Sequence, residues 1–471
     1  MKKILIAGMF PLEASSSGEY CLDMAYWLHK QGYAIDIFTL ANSKTTIHNN
    51  IRNGVNFKEK YSEIQITDLL FPIAGLKDFP AFAPHNLQGF KIYFKDMKNA
   101  DFKNYIETLK ENLRESIKES VPDLIICNHV APLSGLVAEI FEEEGIKVPV
   151  IQIAHEEALN LLVKKDGTLN TEKSFKDKNV FKRLFVDLLN KGKDLVEVTM
   201  GVSEHAMQNL RAAGFDKDKI ERRLKGYDPE TFRPIKEEIS TWDLVKLTER
   251  GIFQDKNDML LTSCCAEYRN YFGYDYLGGL HNVFTKANIF VFAGRISPND
   301  EGEDSKGVDR IIEASLALKK KDDDFGVIIC GNGRDYAKMI SKAYESGLDN
   351  MFFVGDQDHS TVIPFWNNYA VAGLYPSRDE PFGMVAIECI ACGTPAITSD
   401  AGGFNEFINT IGGEVVSDFS RKSKNLAKAM ENAIKKDWAE ERAEKFKKAS
   451  KYSWAKIAKE IDKKNIKPYI G

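Results

Sequence analysis

Two glutamates flank the start of a predicted helix in the stretch EPFGMVAIECIACGTPAI, residues 380–397. Pro381 disfavours the α region at the preceding residue, so Glu380 should lie on a loop. Gly383 permits a tight turn, and Glu388 falls in the early turns of the helix that follows. Free N–H groups at a helix N-terminus bind anions, and the flanking carboxylates can accept hydrogen bonds from hydroxyls. This spacing predicts a site for a sugar that is joined to a nucleoside by a diphosphate.

Cationic side chains follow a predicted strand earlier in the same half of the chain. In GRISPNDEGEDSKGVDRIIEA, residues 294–314, Arg295 stands at the strand end and Lys306 at the next helix start. A guanidinium and an ammonium beside a helix N-terminus would stabilise a diphosphate leaving group. Single Arg and Lys residues are usually solvated surface groups, but a carboxyl strand end favours a binding role. The acidic run between them would repel a diphosphate unless it points away.

Further candidates lie at other strand–helix junctions. Gly331, in CGNGRDYAKMI, could admit a nucleotide base or ribose, although a lone G-x-G often only makes a tight turn. Gly18, in ASSSGEYCLDMAYWL, could let backbone N–H groups approach phosphate, and a serine N-cap explains this loop equally well. His155 ends the apolar run PVIQIAH, where it could orient a reacting sugar or act as a base. We interpret His155 as functional, whereas His129 could equally be a satisfied core histidine.

Continuous apolar strands alternate with helical patterns along the chain, which is typical of parallel sheets covered by helices on both faces. Two series of strands separated near residues 225–235 predict an α/β protein with two doubly wound, Rossmann-like domains. We place the first domain at residues 1–228 and the second at 229–451. Residues 236–287 are interpreted as an insertion, and residues 41–122 fit neither sheet. Because ligands bind outside the carboxyl strand ends, facing domains would place the site in a cleft.

Composition limits the partners and the compartment. The net charge of -5 gives no reason to expect a nucleic-acid partner, and the apolar runs are too short to cross a bilayer. Cysteines lie mostly in apolar runs, which favours a reducing cytoplasm. Cys389 and Cys392 lack a second pair or a neighbouring histidine, so we expect buried thiols and no metal site. The basic, amphipathic residues 172–194 leave open a peripheral contact at the inner membrane face, although packing on the first domain is commoner.

The ordered motifs resemble those of retaining glycosyltransferases of the GT-B fold, glycosyltransferase family 4. Residues 380–397 resemble the E-x7-E motif of that family, and residues 401–408, AGGFNEFI, resemble the Gly-Gly-x-x-Glu that follows it. Arg295 and Lys306 resemble its donor-phosphate pair, at a longer spacing than usual. The C-terminal residues 452–471 resemble the helix that crosses back onto the first domain. The resemblance is dense in the second half of the chain and thin in the first.

The resemblance implies roles on the sugar and ribose side of the donor. Glu380, with the backbone of Phe382 and Gly383, would hold the hydroxyls of the donor sugar. Glu388 would hold the ribose hydroxyls. His155 matches a first-domain histidine near the anomeric centre.

On the phosphate side, the resemblance implies that Arg295 and Lys306 neutralise the leaving diphosphate, helped by the backbone at Met384 and Val385. No cofactor is expected, since the nucleotide sugar is a substrate, and no obligatory metal is expected, because the cationic side chains and a helix dipole do its work. The expected reaction transfers a hexose from a nucleoside diphosphate sugar, most often UDP-linked, to an unidentified acceptor with retained configuration.

Two other functions remain open at this point. A disaccharide phosphorylase of the same fold would use a sugar phosphate, and Glu388, with a ribose to bind, argues against it. A non-catalytic nucleotide-sugar or carbohydrate-binding protein would lack the catalytic groups. The presence of Glu380, Arg295, Lys306 and His155 therefore favours an enzyme.

Overall fold

A computed structural model describes most of the 471-residue chain. The described residues are 1–12, 16–41, 51–52, 55–70, 80–81, 92–93, 97–155, 159, 180–235, 283, 285–299, 302–357, 359, 362–378, 380, 382–417, 419, 423–436 and 441–471. The chain divides into two units. The first unit comprises Met1–Asn50, Asn56–Gly226 and Trp454–Gly471, and the second comprises Ile51–Val55 and Tyr227–Ser453.

The first unit is built on one parallel sheet. The strands in this part of the chain are β1 (Lys3–Ala7), β2 (Ala34–Ala41), β3 (Ile51–Arg52), β4 (Val55–Asn56), β5 (Gln65–Leu70), β6 (Pro80–Ala81), β7 (Ile92–Tyr93), β8 (Leu124–Cys127), β9 (Val150–Ala154), β10 (Val198–Gly201) and β11 (Ile220–Arg222). The sheet has the order β11-β10-β9-β8-β1-β2-β5, and every neighbouring pair is parallel. Two short pairs, β3–β4 and β6–β7, lie outside it.

Helices cover both faces of this sheet. They are α1 (Ser16–His29), α2 (Phe57–Lys60), α3 (Asn99–Ser120), α4 (Leu133–Glu144), α5 (Val180–Leu195) and α6 (Glu204–Ala212). Because side chains alternate along a strand, Ile4 and Ile6 enter the core that contains α1, while Leu5 and Ala7 enter the core of α3, α4 and α5. An uninterrupted apolar strand is therefore required, and KILIA supplies one.

The amphipathic helix α5 belongs to the core of the first unit. Its side chains Phe185, Leu188 and Leu189 are buried. A Cβ atom at Gly135 of α4 would lie 2.2 Å from the backbone oxygen of Leu188, so this glycine lets α4 and α5 approach closely. Residues 172–194 were considered for contact with a membrane. The apolar residues Phe185, Leu188 and Leu189 of this segment are instead buried within the first unit.

The second unit repeats the design with a second parallel sheet. Its strands are β12 (Asn288–Ala293), β13 (Phe325–Cys330), β14 (Met351–Gly355), β15 (Ala372–Tyr375), β16 (Ala396–Ser399) and β17 (Glu414–Val416). They lie in the order β14-β13-β12-β15-β16-β17, again with only parallel neighbours. The order reverses between β12 and β15, and ligands of doubly wound sheets bind at such a switch point. The same reversal occurs between β1 and β8 in the first sheet.

The helices of the second unit connect these strands. They are α7 (Val308–Lys319), α8 (Tyr336–Glu345), α9 (Ile363–Tyr369), α10 (Met384–Ala391), α11 (Ile408–Ile411), α12 (Lys424–Lys435) and α13 (Arg442–Ala449), with 3₁₀ turns at Gly402–Glu406 and Ser450–Tyr452. The predicted fold class, two α/β domains that each contain a parallel sheet, is confirmed.

The C-terminal segment lies on the first unit. It forms α14 (Trp454–Ile461), a π-helical turn (Asp462–Ile466) and α15 (Lys467–Ile470). Trp454 is buried in the core that contains α1, with its ring centroid 4.7 Å from that of Tyr20. The hydroxyl of Tyr33 donates to Asp462 at 2.5 Å.

Some regions that could not be assigned from the sequence are now placed. Strand β5 and helix α3 both fall within residues 41–122, and β5 forms one edge of the first sheet. The expected insertion at 236–287 lies almost wholly outside the described residues. Within the described part of the chain, no helix combines the length and the apolar character needed to cross a membrane.

Candidate functional site

The switch point of the second sheet brings together a cation and a carboxylate that the sequence singled out. Lys306 lies on the loop from β12 to α7, and Glu380 lies on the loop from β15 to α10. The Nζ atom of Lys306 donates to Oε2 of Glu380 at 2.8 Å. Both side chains are mostly buried, with 21% and 12% of their surfaces exposed. The proposed phosphate-binding cation therefore forms an ion pair with the proposed sugar-binding carboxylate.

Glycines hold these two loops in contact. Gly307 has a φ of 79°, and a Cβ atom there would lie 2.1 Å from the carbonyl oxygen of Pro376. Gly402, with a φ of 45°, would place a Cβ atom 2.4 Å from the carbonyl oxygen of Glu380. The N–H of Gly403 donates to that same oxygen at 2.8 Å. A side chain at either position would push the loops apart, so the Gly-Gly of AGGFNEFI fixes the backbone of Glu380.

Arg378 connects the same loops through its side chain. Its guanidinium donates to both carboxylate oxygens of Asp309 at 2.8 and 2.9 Å, and its Nε donates to Glu303 at 2.9 Å. Nη1 also donates to the carbonyl oxygen of Asp304 at 2.8 Å. Although burial favours the neutral acid, the Arg378 hydrogen bonds and charge lower the pKa of Asp309. Arg378 was not among the predicted site residues, and its only signal was its position three residues after β15.

The acidic run before Lys306 is partly accounted for. Oδ2 of Asp304 accepts from the backbone N–H of Val308 at 2.5 Å and so caps α7. Burial, opposed by that hydrogen bond and reinforced by Asp309, raises the pKa of Asp304 to about 6. Glu303 faces Arg378. Two of the four acidic residues are therefore directed to partners within the protein, and Asp300 and Glu301 lie outside the described residues.

Helix α10 carries the second glutamate of the motif. Gly383 precedes α10 with a φ of 90°, where a Cβ atom would lie 2.3 Å from the ring of Phe404. Glu388 is buried, and its Oε2 atom lies 2.9 Å from Nε2 of His359. The ring of His359 packs on Phe232 with centroids 5.1 Å apart. His359 was also not predicted, and its signal was a histidine four residues beyond β14.

The other residues predicted to contact the donor differ in how deeply they are buried. Phe382 is buried, while Met384 and Val385 open α10 and are partly buried. Arg295 is exposed at the end of β12.

The reason for the glycine at position 331 is visible in the backbone. Gly331 has a φ of 127°, and a Cβ atom there would lie 1.9 Å from the carbonyl oxygen of Gly294. The N–H of Gly331 donates to the carbonyl oxygen of Gly355 at 2.7 Å. Close packing of the loops after β12, β13 and β14 requires this glycine, whether or not a ligand approaches it.

The switch point of the first sheet contains His155. Its Nε2 atom lies 2.8 Å from Oδ1 of Asn128, which directly follows β8. Asn128 in turn donates from Nδ2 to the carbonyl oxygen of Ser17 at 2.8 Å. Gly18 follows in the first turn of α1, where a Cβ atom would lie 2.0 Å from the carbonyl oxygen of Pro11. The predicted loop of Gly18 and the predicted histidine are therefore linked through Asn128.

Burial keeps His155 neutral. The residue is 4% exposed, and its ring packs on His129 and edge-on to Tyr20, with centroid distances of 4.8 and 5.2 Å. Burial, with the charges of Lys225 and His129, holds the pKa of His155 well below its usual range. A neutral imidazole can accept a hydrogen bond from a hydroxyl. His129 itself is buried between the rings of Phe10 and His155.

Neither sulfur chemistry nor a metal cluster is evident in the described part of the chain. Cys389 and Cys392 are buried free thiols, and burial raises the pKa of Cys389 to about 12. Among the described residues, no group of three or more His, Cys, Asp and Glu side chains is arranged to hold a metal ion. Cys264 and Cys265 lie outside those residues.

Comparison with known proteins gives the class to which the second unit is similar. Residues 280–452 match the family described as glycosyl transferases group 1. This match covers the loops of Lys306 and Glu380.

Curated relatives align over part of their length. The D-inositol 3-phosphate glycosyltransferase of Jonesia denitrificans is 36% identical over 126 residues, which are 25% of this chain and 28% of that protein. The glycogen synthase of Mycobacterium tuberculosis is 32% identical over 161 residues, 33% of this chain and 38% of that protein. The aligned residues thus span about 28–38% of these relatives.

Solved structures match the whole chain in fold. The structure of Anabaena Alr3699/HepE in complex with UDP has a TM-score of 0.60 at 16% identity, covering 98% of this chain and 99% of that one. Sucrose-phosphate synthase from Thermosynechococcus elongatus has a TM-score of 0.60 at 16% identity, covering 98% and 97%. These similarities establish the GT-B type of fold and carry no information about substrate.

Proposed function

We propose that this chain is a retaining glycosyltransferase that transfers a hexose from a nucleoside diphosphate sugar to a hydroxyl of an acceptor. The observation that carries the proposal is the contact of Lys306 with Glu380 at the switch point of the second sheet. A cation next to a carboxylate matches the two ends of an activated sugar, whose phosphate is anionic and whose hydroxyls donate hydrogen bonds.

The comparisons support this proposal at the level of class. Residues 280–452 are similar to group 1 glycosyl transferases, and relatives bear the names of glycosyltransferases and synthases. One structural neighbour, Anabaena Alr3699/HepE, was solved with UDP and also with UDP and glucose. One relative is named as dependent on GDP-mannose. We therefore propose UDP as the first nucleotide to test and GDP as the second.

We assign the following roles to residues of the second unit. Glu380 accepts hydrogen bonds from hydroxyls of the donor sugar, and Glu388, positioned by His359, accepts those of the ribose. Lys306 and Arg295 stabilise the diphosphate, and the N-terminus of α10 contributes backbone N–H groups at Met384 and Val385. Gly331, Phe382 and Gly383 shape the surrounding loops. No metal is required in this scheme, because fixed cations carry the charge of the leaving group.

In the proposed reaction, the bond between the anomeric carbon and the phosphate oxygen breaks, and a bond from the acceptor oxygen forms on the same face. The acceptor proton passes to the departing phosphate oxygen, so charge and atoms balance. In the first unit, neutral His155 is proposed to accept a hydrogen bond from a sugar hydroxyl, and the backbone near Gly18 to approach phosphate.

The test measures release of UDP or GDP by purified protein from a panel of nucleotide sugars, with and without acceptors. Lys306→Ala and Glu380→Ala should each lower the rate at least about a hundredfold, since the first removes a cation that stabilises the leaving diphosphate and the second removes the carboxylate that positions the donor sugar. Lys435→Ala is the matched control, because Lys435 also forms a lysine–glutamate pair, with Glu431 at 2.6 Å, on the exposed face of α12. Full activity in both site variants would contradict the assignment.

The same experiment separates the other candidate functions. A disaccharide phosphorylase would release sugar phosphate from a disaccharide and inorganic phosphate, with no dependence on a nucleotide sugar. A binding protein would show calorimetric binding of the donor without turnover over a broad acceptor panel. The anomeric configuration of the product, read by proton NMR, tests retention directly.

A further inference from the structure

Asn128 occupies a crossing point between three neighbouring elements of the first unit. It directly follows β8, and its backbone N–H donates to the carbonyl oxygen of Ala7 at the end of β1 at 2.8 Å. Its side chain reaches the first turn of α1 through Ser17 and the end of β9 through His155, each at 2.8 Å. With 1% of its surface exposed, the side chain is fixed by these contacts.

The contacts of the Asn128 side chain with Ser17 and His155 determine the tautomer of His155, and the same side chain also forms a hydrogen bond with the buried thiol of Cys21 on α1. The carbonyl oxygen of Ser17 can only accept, so the atom that faces it must be the Nδ2 donor. Oδ1 then faces His155, and an amide oxygen can only accept. Nε2 of the imidazole must therefore carry the hydrogen. In a neutral ring, Nδ1 is left as the acceptor.

We propose that Asn128 is a positioning residue, which holds His155 as the Nε2–H tautomer with Nδ1 available to a substrate hydroxyl and links it to the turn of Ser17 and Gly18. The substrate part of this inference rests on the proposed function. The tautomer part rests only on the contacts within the first unit. Asn128 acts through His155, and no contact with a substrate is assigned to it.

The charged and titratable groups around His155 reinforce this state. Lys225 and His129 both disfavour a positive charge on the ring, and Tyr20 presents its ring edge-on from α1. Among the described residues, Asn128 is the side chain within hydrogen-bonding distance of the His155 ring. A carboxylate in place of the amide would reverse the balance, because it accepts from Nε2–H and favours the imidazolium.

The first experiment observes the tautomer without any need for activity. Full-length protein labelled with ¹⁵N-histidine is studied by NMR between pH 6 and 8, and His155→Gln identifies the signals of His155. We expect one protonated ring nitrogen, Nε2, across this range. In Asn128→Ala, the Nδ1–H form should appear. A wild-type ring that carries its hydrogen on Nδ1, or that is an imidazolium at pH 7, would overturn the proposal.

The second experiment uses the pH profile of transfer, which a purely structural role would not move in a set direction. Asn128→Asp should shift the acid limb of kcat/KM upwards by about one pH unit, since a carboxylate at this distance raises the pKa of His155. Asn128→Ala should lower kcat roughly tenfold, as a misplaced hydrogen-bonding group does. Asn112→Ala is the control, because its amide donates to the carbonyl oxygen of Thr108 at 2.8 Å on α3.

The outcomes of the two experiments are distinguishable. If no nucleotide sugar is turned over, the proposed function fails, and the NMR result still decides whether Asn128 sets the tautomer. If turnover is found but Asn128→Asp leaves the acid limb in place, the positioning role is refuted. Should Asn128→Ala fail to fold, the wild-type spectrum and the nearly isosteric Asn128→Asp variant still test the proposal.

Discussion

Replacing Glu380 with glutamine should have opposite effects on two ligands that differ only in the sugar. Lys306 and Glu380 form an ion pair at 2.8 Å, so a diphosphate has to compete with Glu380 for the ammonium group. Glu380→Gln removes the competing charge, and UDP should bind more tightly. The glutamine accepts hydrogen bonds from sugar hydroxyls less strongly than the carboxylate does, and a UDP-sugar should therefore bind more weakly.

The magnitudes follow from the surroundings of the pair. The two side chains are 21% and 12% exposed, which places the pair between a surface ion pair and a buried one. Surface pairs contribute up to about 1 kcal/mol, so loss of the competition should tighten UDP binding about fivefold. A hydrogen bond to a charged group is worth about 1.5–3 kcal/mol. The net weakening of UDP-sugar binding should then be roughly two- to thirtyfold.

The assay is isothermal titration calorimetry with UDP and with UDP-glucose on wild type, Glu380→Gln and Lys306→Met. GDP and GDP-mannose replace them if thermal shift shows no binding of the uridine ligands. Lys306→Met should weaken both ligands, because it removes the cation and leaves the carboxylate. The reasoning is refuted if Glu380→Gln changes the two affinities in parallel, or if it leaves both unchanged.

Two further predictions concern the loops around this pair. Gly331→Ala should destabilise the second unit by about 3 kcal/mol, since left-handed backbone strain adds to a Cβ atom placed 1.9 Å from a carbonyl oxygen. Gly347→Ala, at a φ of 79° with nothing within 4 Å, should cost only the strain, about 1 kcal/mol, and urea unfolding that shows equal costs would contradict this account. The pKa of Asp304 in the folded protein is about 6, against an ordinary 3.8. Between these pH values the folded protein binds a proton on Asp304 that the unfolded chain does not bind, so the free energy of unfolding falls as pH rises from about 4 to 6. Asp304→Asn should therefore be more stable than wild type at pH 7 by about 2 kcal/mol and nearly equal at pH 4, and a difference that does not vary with pH would disprove the assignment.

The sheets could be predicted from the sequence because each strand carries its own signal. Runs such as KILIA and NIFVFA are apolar throughout or nearly so, as strands buried on both faces must be. The loop position of Glu380 and the start of α10 after Gly383 follow from backbone preferences of neighbouring residues. By contrast, strand β5 (Gln65–Leu70) lies at a sheet edge, and half of its residues are polar. It therefore lacks the apolar run that predicted the other strands.

The partners of the site residues could not be predicted, because they depend on contacts between distant parts of the chain. Lys306 and Glu380 are 74 positions apart in the sequence, and Arg378 and Asp309, which form an ion pair, are 69 positions apart. Nothing local distinguishes Arg378 from a surface arginine. His359 and Asn128 were missed for the same reason. Each is a single polar residue after a strand, and its role depends on a contact with a side chain from another part of the chain.

Glycines at the carboxyl edge of the second sheet are required both for packing of the loops and for a binding site at that edge. At Gly307, Gly331 and Gly402, a Cβ atom would lie 2.4 Å or less from a carbonyl oxygen of another loop. Parallel strands end at the same edge, so their loops compete for the same space, and only a residue without a Cβ atom lets three or four of them converge. The same convergence brings Lys306 to Glu380. A binding site at this edge therefore requires the glycines even where they touch no ligand, and their substitution should affect stability and donor affinity together.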